Sequence, residues 1–307
     1  MANIEKQKLI IDTDPGHDDA LAIMLLEKSG LFDIQAITTV AGNSTIQNTT
    51  NNARYILDLL DSKIPIYSGA NAPLTRKLIL AEVHGPNGLA GANITKQEPL
   101  TGTAVERIIE LVKNNPHEIS ILAIGPLTNI ADALTRDSSI IPLIREIVIM
   151  GGAIAVPGNK NRVAEFNIFV DPDAADIIFR APIKKTLIPL DACNNVFLSI
   201  NDFEELKNSP LYRPIKEMMA HYIQGILNFE KTSGAIMYDP LAAYFFINPV
   251  AFETEMMDIK IETQSELTRG MTVAERRSWG EKNPNVLVAK SADRAEFTKN
   301  FLEILNR

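Results

Sequence analysis

The sequence predicts an α/β fold, one domain spanning residues 1–307, and three observations carry that expectation. Short apolar runs alternate with segments whose apolar residues recur at helical spacing, beginning at residues 9–11 and continuing along the chain. Most runs end in Gly, Pro, Asn or Asp, the residues that turn one element into the next. The 307 residues are 46% hydrophobic and 22% charged, enough chain for a sizeable core, and no repeat, low-complexity tract or linker divides them.

The first run, Leu9-Ile10-Ile11, reads as a buried strand. It ends in Asp12, Thr13 and Asp14, passes a Pro15-Gly16 turn and restarts as a helix opened by Asp18 and Asp19. Residues 34–40 (IQAITTV) form a second strand ending in Ala41-Gly42-Asn43-Ser44, and residues 45–60 a helix. Residues 64–67 are a short strand, after which the pattern lapses through Leu89. That loop carries His84 among turn formers, and loops at a sheet edge are where function concentrates.

Residues 104–112 read as a helix and residues 119–124 as a strand, followed by a Gly125-Pro126 turn and a helix through Leu134. Residues 147–150 form a strand that closes on Gly151-Gly152, where a missing Cβ admits close approach. After the polar loop 157–162, Ala164-Glu165-Phe166-Asn167 reads as extended, which would point Glu165 and Asn167 the same way.

Residues 173–179 are helical and 186–190 a strand; residues 201–207 and 211–229 are helices. The longer one is amphipathic, carries Met218, Met219, His221, Tyr222 and Phe229, and is broken by Ser233-Gly234. Met237-Tyr238-Asp239-Pro240 precedes an apolar helix over 241–246. A strand near 257–261, an apolar run over 286–289 and a helix over 294–305 close the chain.

Composition excludes several functions. The net charge is −8, with no Lys/Arg cluster to neutralise a run of phosphates, so nucleic acid is not the expected partner. The polar start MANIEKQK argues against a signal peptide. The most apolar later stretch, 241–252, is short and broken by Asn248-Pro249, which argues against a membrane span. A single cysteine, Cys193, excludes an internal disulfide and fits a reducing, cytoplasmic location.

The chemistry concentrates in Asp12, Asp14, Asp18 and Asp19, at the carboxyl end of a strand where open α/β sheets place their ligands. Two bare carboxylates about 4 Å apart repel by on the order of 4 kcal/mol near a protein surface, so the cluster calls for a cation. An all-oxygen set suits Ca²⁺ or Mg²⁺ better than zinc. Helix capping would account for Asp18 and Asp19 but not for Asp14, which precedes the turn. Asn43 and Asp239 are each readable as a ligand or a cap, and His84 as a substrate contact or a plain loop histidine. Glu165 and Asn167 suit either hydroxyl recognition or a solvated strand edge.

With these residues in view, the chain resembles the inosine-uridine type nucleoside hydrolases. The resemblance rests on DTDPGHDDA (12–20), AGN (41–43), HGPNGL (84–89), AIGPLTNIA (123–131), MGG (150–152), AEFN (164–167) and YDPLA (238–242), in order along nearly the whole chain. It implies a Rossmann-like, mostly parallel sheet flanked by helices and cleavage of the N-glycosidic bond of ribonucleosides with a tightly held Ca²⁺. By motif position, Asp14, Asp19, Asp239 and the carbonyl of Ile124 would hold the metal, with Asp14 also the general base for its water. Asp18, Asn43, Asn159, Glu165 and Asn167 would bind ribose, and Met150 would line its pocket. His84 falls beside the base. The family's habit also implies a homo-oligomer, a dimer or tetramer.

One position departs from the pattern. Many relatives carry His before the last metal-binding aspartate, where it can protonate the leaving base, and here that residue is Tyr238. A phenol, with a reference pKa near 10, is the weaker donor at neutral pH. His84, His221, Tyr222 and solvent are the other candidates for that task. Two rival readings compete: a haloacid-dehalogenase-like Mg²⁺ phosphatase using Asp12-Thr13-Asp14, and a non-catalytic Ca²⁺-dependent nucleoside binder.

Overall fold

The computed structural model describes residues 6–95, 99, 103–230 and 234–307. In chain order the elements are β1 (Gln7–Thr13), α1 (His17–Ser29), β2 (Phe32–Thr39), α2 (Ile46–Leu59), β3 (Ile66–Ser68), α3 (Ala104–Asn114), β4 (Ser120–Ala123), α4 (Thr128–Arg136) and β5 (Glu146–Met150). They continue as α5 (Phe166–Val170), α6 (Pro172–Arg180), β6 (Lys185–Ile188), α7 (Leu190–Cys193), β7 (Phe197–Leu198), α8 (Tyr212–Glu230), β8 (Ala235–Ile236) and α9 (Tyr238–Ile247). The chain ends in β9 (Phe252–Met257), β10 (Ile259–Ile261), β11 (Thr272–Ala274), β12 (Val286–Ala292) and α10 (Arg294–Leu305).

Eight strands form one sheet in the order β3-β2-β1-β4-β5-β6-β12-β9, parallel throughout except for the last pair. A parallel sheet is covered on both faces, so its central strands can be apolar without alternation. In β1, Leu9 and Ile11 join the core under α1, α8, α9 and α10, while Ile10 joins the opposite core with α3, α4 and α6. The chain runs outward from β1 to β3, then returns to build β4, β5 and β6 on the other side of β1. The crevice at the carboxyl ends of β1 and β4 is the switch point at which such sheets bind ligands.

Helix α1 is buried on nearly all sides, from His17 to Leu26, because α9 and α10 lie over it. It stops at Gly30, whose φ of 68° supplies the left-handed cap. Asp171 caps α6 and Asp293 caps α10 through their carboxylates.

The expected elements are present, with five revisions. Glu165 and Asn167 do not lie in a strand: Glu165 is the N-cap of α5 and Asn167 its second residue, because the Glu165 carboxylate captures the N–H groups that open the helix. The strand expected near 257–261 divides at Asp258, with β9 in the main sheet and β10 paired to β11. The strand expected over 186–190 ends at Ile188, because the chain turns at Pro189 into α7. Residues 202–206 form a 3₁₀ turn rather than an α-helix. The ladders β7–β8 and β10–β11 are too short to show a period. Ser233 and the Phe229 side chain lie outside the described residues. Among the described residues, no helix is long and apolar enough to cross a membrane.

Candidate active site

A cavity of about 350 Å³ opens over the carboxyl ends of β1, β4 and β5. Its floor is acidic. Carboxylate oxygens of Asp18, Asp19 and Asp239 lie within 4.8 Å of one another, and Asp19 and Asp239 are hydrogen-bonded to each other. Asp19 also accepts from Gly16 N (2.9 Å) and Asn43 Nδ2 (3.0 Å), which ties the start of α1 to the loop after β2.

Asp14 stands beside this group, fully buried. Its Oδ2 accepts from Asn43 N at 2.6 Å, and its Oδ1 has no hydrogen-bond partner. Gly42 and Gly125 make this placement possible. A Cβ on Gly42 would sit 2.1 Å from Asp14 Oδ2, and one on Gly125 would sit 2.8 Å from Oδ1.

Burial pushes the carboxyls of Asp14, Asp18 and Asp239 well above the usual range, and neighbouring aspartates add to each shift. Asp19 is raised by the same burial. Such a cluster is costly as bare anions. Two of its buried oxygens, Asp14 Oδ1 and Asp18 Oδ1, lack any donor. An oxygen-only set with orphaned acceptors fits a hard divalent cation such as Ca²⁺ or Mg²⁺.

The wall beyond β5 holds the second group. Glu165 is 2% exposed; its carboxylate accepts from Asn167 N (2.8 Å), Gly152 N (3.1 Å) and Ile168 N (3.2 Å), while burial raises its pKa to about 7. Asn167 donates through Nδ2 to the Ile124 carbonyl at 3.1 Å and to the Met150 carbonyl at 3.4 Å. Asn159, on the exposed loop before α5, accepts from Phe166 N at 2.9 Å and lines the same cavity.

At the opposite end, three rings lie nearly parallel. His84 and Tyr222 are 5.3 Å apart between centroids, and His17 is 5.2 Å from His84 and 5.1 Å from Tyr222. The Tyr222 hydroxyl donates to Asp18. Tyr238, the first residue of α9, lines the cavity next to Asp239.

The structure thus brings to one cavity or directly beneath it Asp14, Asp18, Asp19, Asn43, His84 and Ile124 from the first half of the chain. Met150, Asn159, Glu165, Asn167, Tyr222, Tyr238 and Asp239 arrive there from the second half. Asp12 is not among them. Its Oδ1 accepts from Thr38 Oγ1 and Asn129 Nδ2 (2.8 Å), and burial raises its pKa to about 7. Asp12 does not line the cavity, which disfavours a phosphatase reading of Asp12-Thr13-Asp14. His17 was not singled out from the sequence, although it lies inside the acid motif. Glu82 and Lys160 also line the cavity, and a lone charge in a loop gives no signal of its own in the sequence.

An α/β sheet with an acid-floored cavity at its switch point fits the class of enzymes that hold a divalent cation at a sheet edge. The family model for inosine-uridine preferring nucleoside hydrolases matches residues 9–299. The chain belongs to that family, whose enzymes hydrolyse N-glycosyl compounds. It is 39% identical to a pyrimidine-specific ribonucleoside hydrolase, RihA, of Shewanella baltica, over 97% of this chain and 95% of that one. A plant nucleoside hydrolase, PpNRh1, superposes with a TM-score of 0.92 at 30% identity, covering 98% of this chain and 99% of that chain. A purine-preferring ribonucleoside hydrolase from Gardnerella vaginalis gives 0.91 at 30% identity, covering 98% of each chain.

Proposed function

We propose that this protein is a Ca²⁺-dependent ribonucleoside hydrolase whose first substrates to test are pyrimidine ribonucleosides. The observation that carries the reading is Asp14 Oδ1, a buried acceptor without a partner, set beside three clustered carboxylates on a cavity floor. The pyrimidine choice follows the printed specificity of the 39%-identical relative.

In this reading Asp14, Asp19, Asp239 and the Ile124 carbonyl would hold Ca²⁺, which would supply the positive charge that orients a water and lowers its pKa. Asp14 takes the proton from the attacking water. Breaking the ribosidic C–N bond builds positive charge on the sugar, and the anionic floor stabilises that charge where it develops. Asp18, Asn43, Asn159, Glu165 and Asn167 bind the ribose, and Met150 packs against it. A missing hydroxyl would leave buried polar groups unpaired, so ribose is preferred to deoxyribose. His84, Tyr222 and Tyr238 face the base, with Tyr238 able to hydrogen-bond the leaving group.

Release of ribose from uridine and cytidine, dependent on added Ca²⁺, tests the reading. Tight nucleoside binding with no reducing sugar released over hours would replace it with a binder. The same reading includes a cytoplasmic dimer or tetramer, checked by sizing the purified protein and by fractionation.

A further inference from the structure

The cavity over the sheet edge is acidic, yet one cation lines it. Among the described residues around it, Lys160 is the single Lys or Arg, set against Asp18, Glu82, Glu165 and Asp239. Lys160 is half-buried, and its ammonium lies over the Phe166 ring, 5.7 Å from the centroid. Among the described residues it makes no ion pair or hydrogen bond through Nζ. A ring face attracts the charge but gives its three N–H donors no lone pair to meet.

The loop that carries Lys160 is braced. Gly158 N donates to the Arg162 carbonyl at 3.3 Å, and Lys160 N to the Ala164 carbonyl at 3.1 Å. Asn161 Oδ1 accepts from Val163 N (2.9 Å) and Ala164 N (2.7 Å), while its Nδ2 donates to the Arg269 carbonyl at 3.1 Å. A Cβ on Gly158 would sit 2.2 Å from the Ala164 carbonyl oxygen, so the turn closes this tightly only around glycine. Lys160 therefore stands on the sugar wall beside Asn159 and Glu165 by construction.

In a ribonucleoside the base on C1′ and the 5′ arm on C4′ leave the sugar ring at its two ends, and the 2′ and 3′ hydroxyls leave from the other face. With the base beside His84 and Tyr222 and the two hydroxyls turned to the acidic floor, the 5′ arm points to the wall of Asn159, Lys160 and Glu165. On that wall the Glu165 carboxylate is already matched by the N–H groups of Gly152, Asn167 and Ile168. The ammonium is the charge left unmatched. A phosphate oxygen would supply it with a charge-assisted hydrogen bond.

We propose that Lys160 makes this wall a phosphate-recognition site, so that the enzyme also hydrolyses pyrimidine nucleoside 5′-monophosphates, to the free base and ribose 5-phosphate. Phosphate recognition here deepens the nucleoside reading above and rests on it. The ribosidic C–N bond breaks and the oxygen of water bonds to C1′. One proton of that water passes to Asp14 and on to solvent, the departing base takes one up from solvent, and the phosphate ester stays intact.

Uridine and uridine 5′-monophosphate, each given to the Ca²⁺-loaded protein while uracil, ribose 5-phosphate and inorganic phosphate are followed, test this. The expected result is uracil and ribose 5-phosphate in equal amounts from the nucleotide. Cleavage of uridine with the nucleotide left intact, or inorganic phosphate as the product, overturns the proposal. Lys160→Met keeps an apolar stem over Phe166 and removes the charge. It should lower the ratio of kcat/KM for the nucleotide to that for uridine by about tenfold, the size of one charge-assisted hydrogen bond, and Lys160→Arg should restore it. An unchanged ratio in Lys160→Met overturns the proposal.

If neither compound releases uracil, the hydrolase reading fails and calorimetry with ribose 5-phosphate and ribose decides the site. Tighter binding of the phosphate, lost in Lys160→Met, upholds phosphate recognition; equal affinities overturn it.

Discussion

Asn52 donates through Nδ2 to the carbonyl of Pro15 at 2.7 Å, with its own side chain 1% exposed. The same nitrogen reaches the Asn87 carbonyl at 3.0 Å. One amide therefore ties the turn between Asp14 and Asp18 to the loop that carries His84. Replacing it by Ala leaves the buried Pro15 carbonyl and the half-buried Asn87 carbonyl without this donor, at a cost of about 1–3 kcal/mol. Asn52→Ala should lower the denaturant midpoint and weaken Ca²⁺ binding by calorimetry. A variant as stable as the native chain would show that solvent fills the gap.

Asp14→Asn preserves the shape of the side chain and removes the base. Ribose release should fall by at least ~100-fold, in line with loss of a general base, while circular dichroism stays native. Native-like turnover would take Asp14 out of that role.

Glu165 connects three backbone N–H groups across Gly152 and the first turn of α5. Glu165→Ala removes the cap and should destabilise the fold by about 1–2 kcal/mol in urea unfolding, with KM for nucleosides rising as Asn167 loses its fixed orientation. A stability loss with KM unchanged would confine Glu165 to capping.

The pH dependence of the metal-free protein has a defined sign. Asp12 and Glu165 are both raised to about 7 from ordinary values of 3.8 and 4.5, so the folded chain keeps protons that the unfolded chain has released. Stability is therefore full below about pH 4 and is lost as pH rises toward 7. The melting temperature without metal should fall between pH 5 and pH 8. Added Ca²⁺ should recover more at pH 8, where the floor carboxylates need not give up protons to bind it. A flat or rising melting temperature across that window contradicts the burial-driven shifts.

Tyr238→Phe keeps the ring and deletes the hydroxyl. Turnover should fall several-fold if that group hydrogen-bonds the leaving base, as judged by kcat on uridine and cytidine. Equal rates on every nucleoside would leave Tyr238 a packing role.

Much of this site is readable in the order of the residues, for a physical reason. The passage from Leu9 to Leu26 changes from a run to a helical period at the Pro-Gly turn, and that change alone puts Asp14 and Asp19 at a sheet edge. Glu165 and Asn167 show where such reading stops. Four residues cannot distinguish an extended strand from a capped first turn, and the choice is made by Gly152 N, which approaches Glu165 from another segment. His17 was invisible for a similar reason: its partners, His84 and Ala90, lie 67 and 73 positions away. Asp12 is equivalent to Asp14 in the sequence; what separates them is Asn129, 117 positions on, which donates to Asp12 Oδ1 beneath the sheet edge.

Asp14, seated between Gly42 and Gly125, makes this end of the site intolerant of even a methyl group, since the space beside both glycines is filled by the Asp14 carboxylate and the side chains of Pro126 and Val40. The other half is walled by the segment around Ala81 to His84 and by α8, neither of which belongs to the central sheet. Chimeras that exchange only those two segments between relatives should therefore transplant base preference onto an unaltered hydrolytic engine.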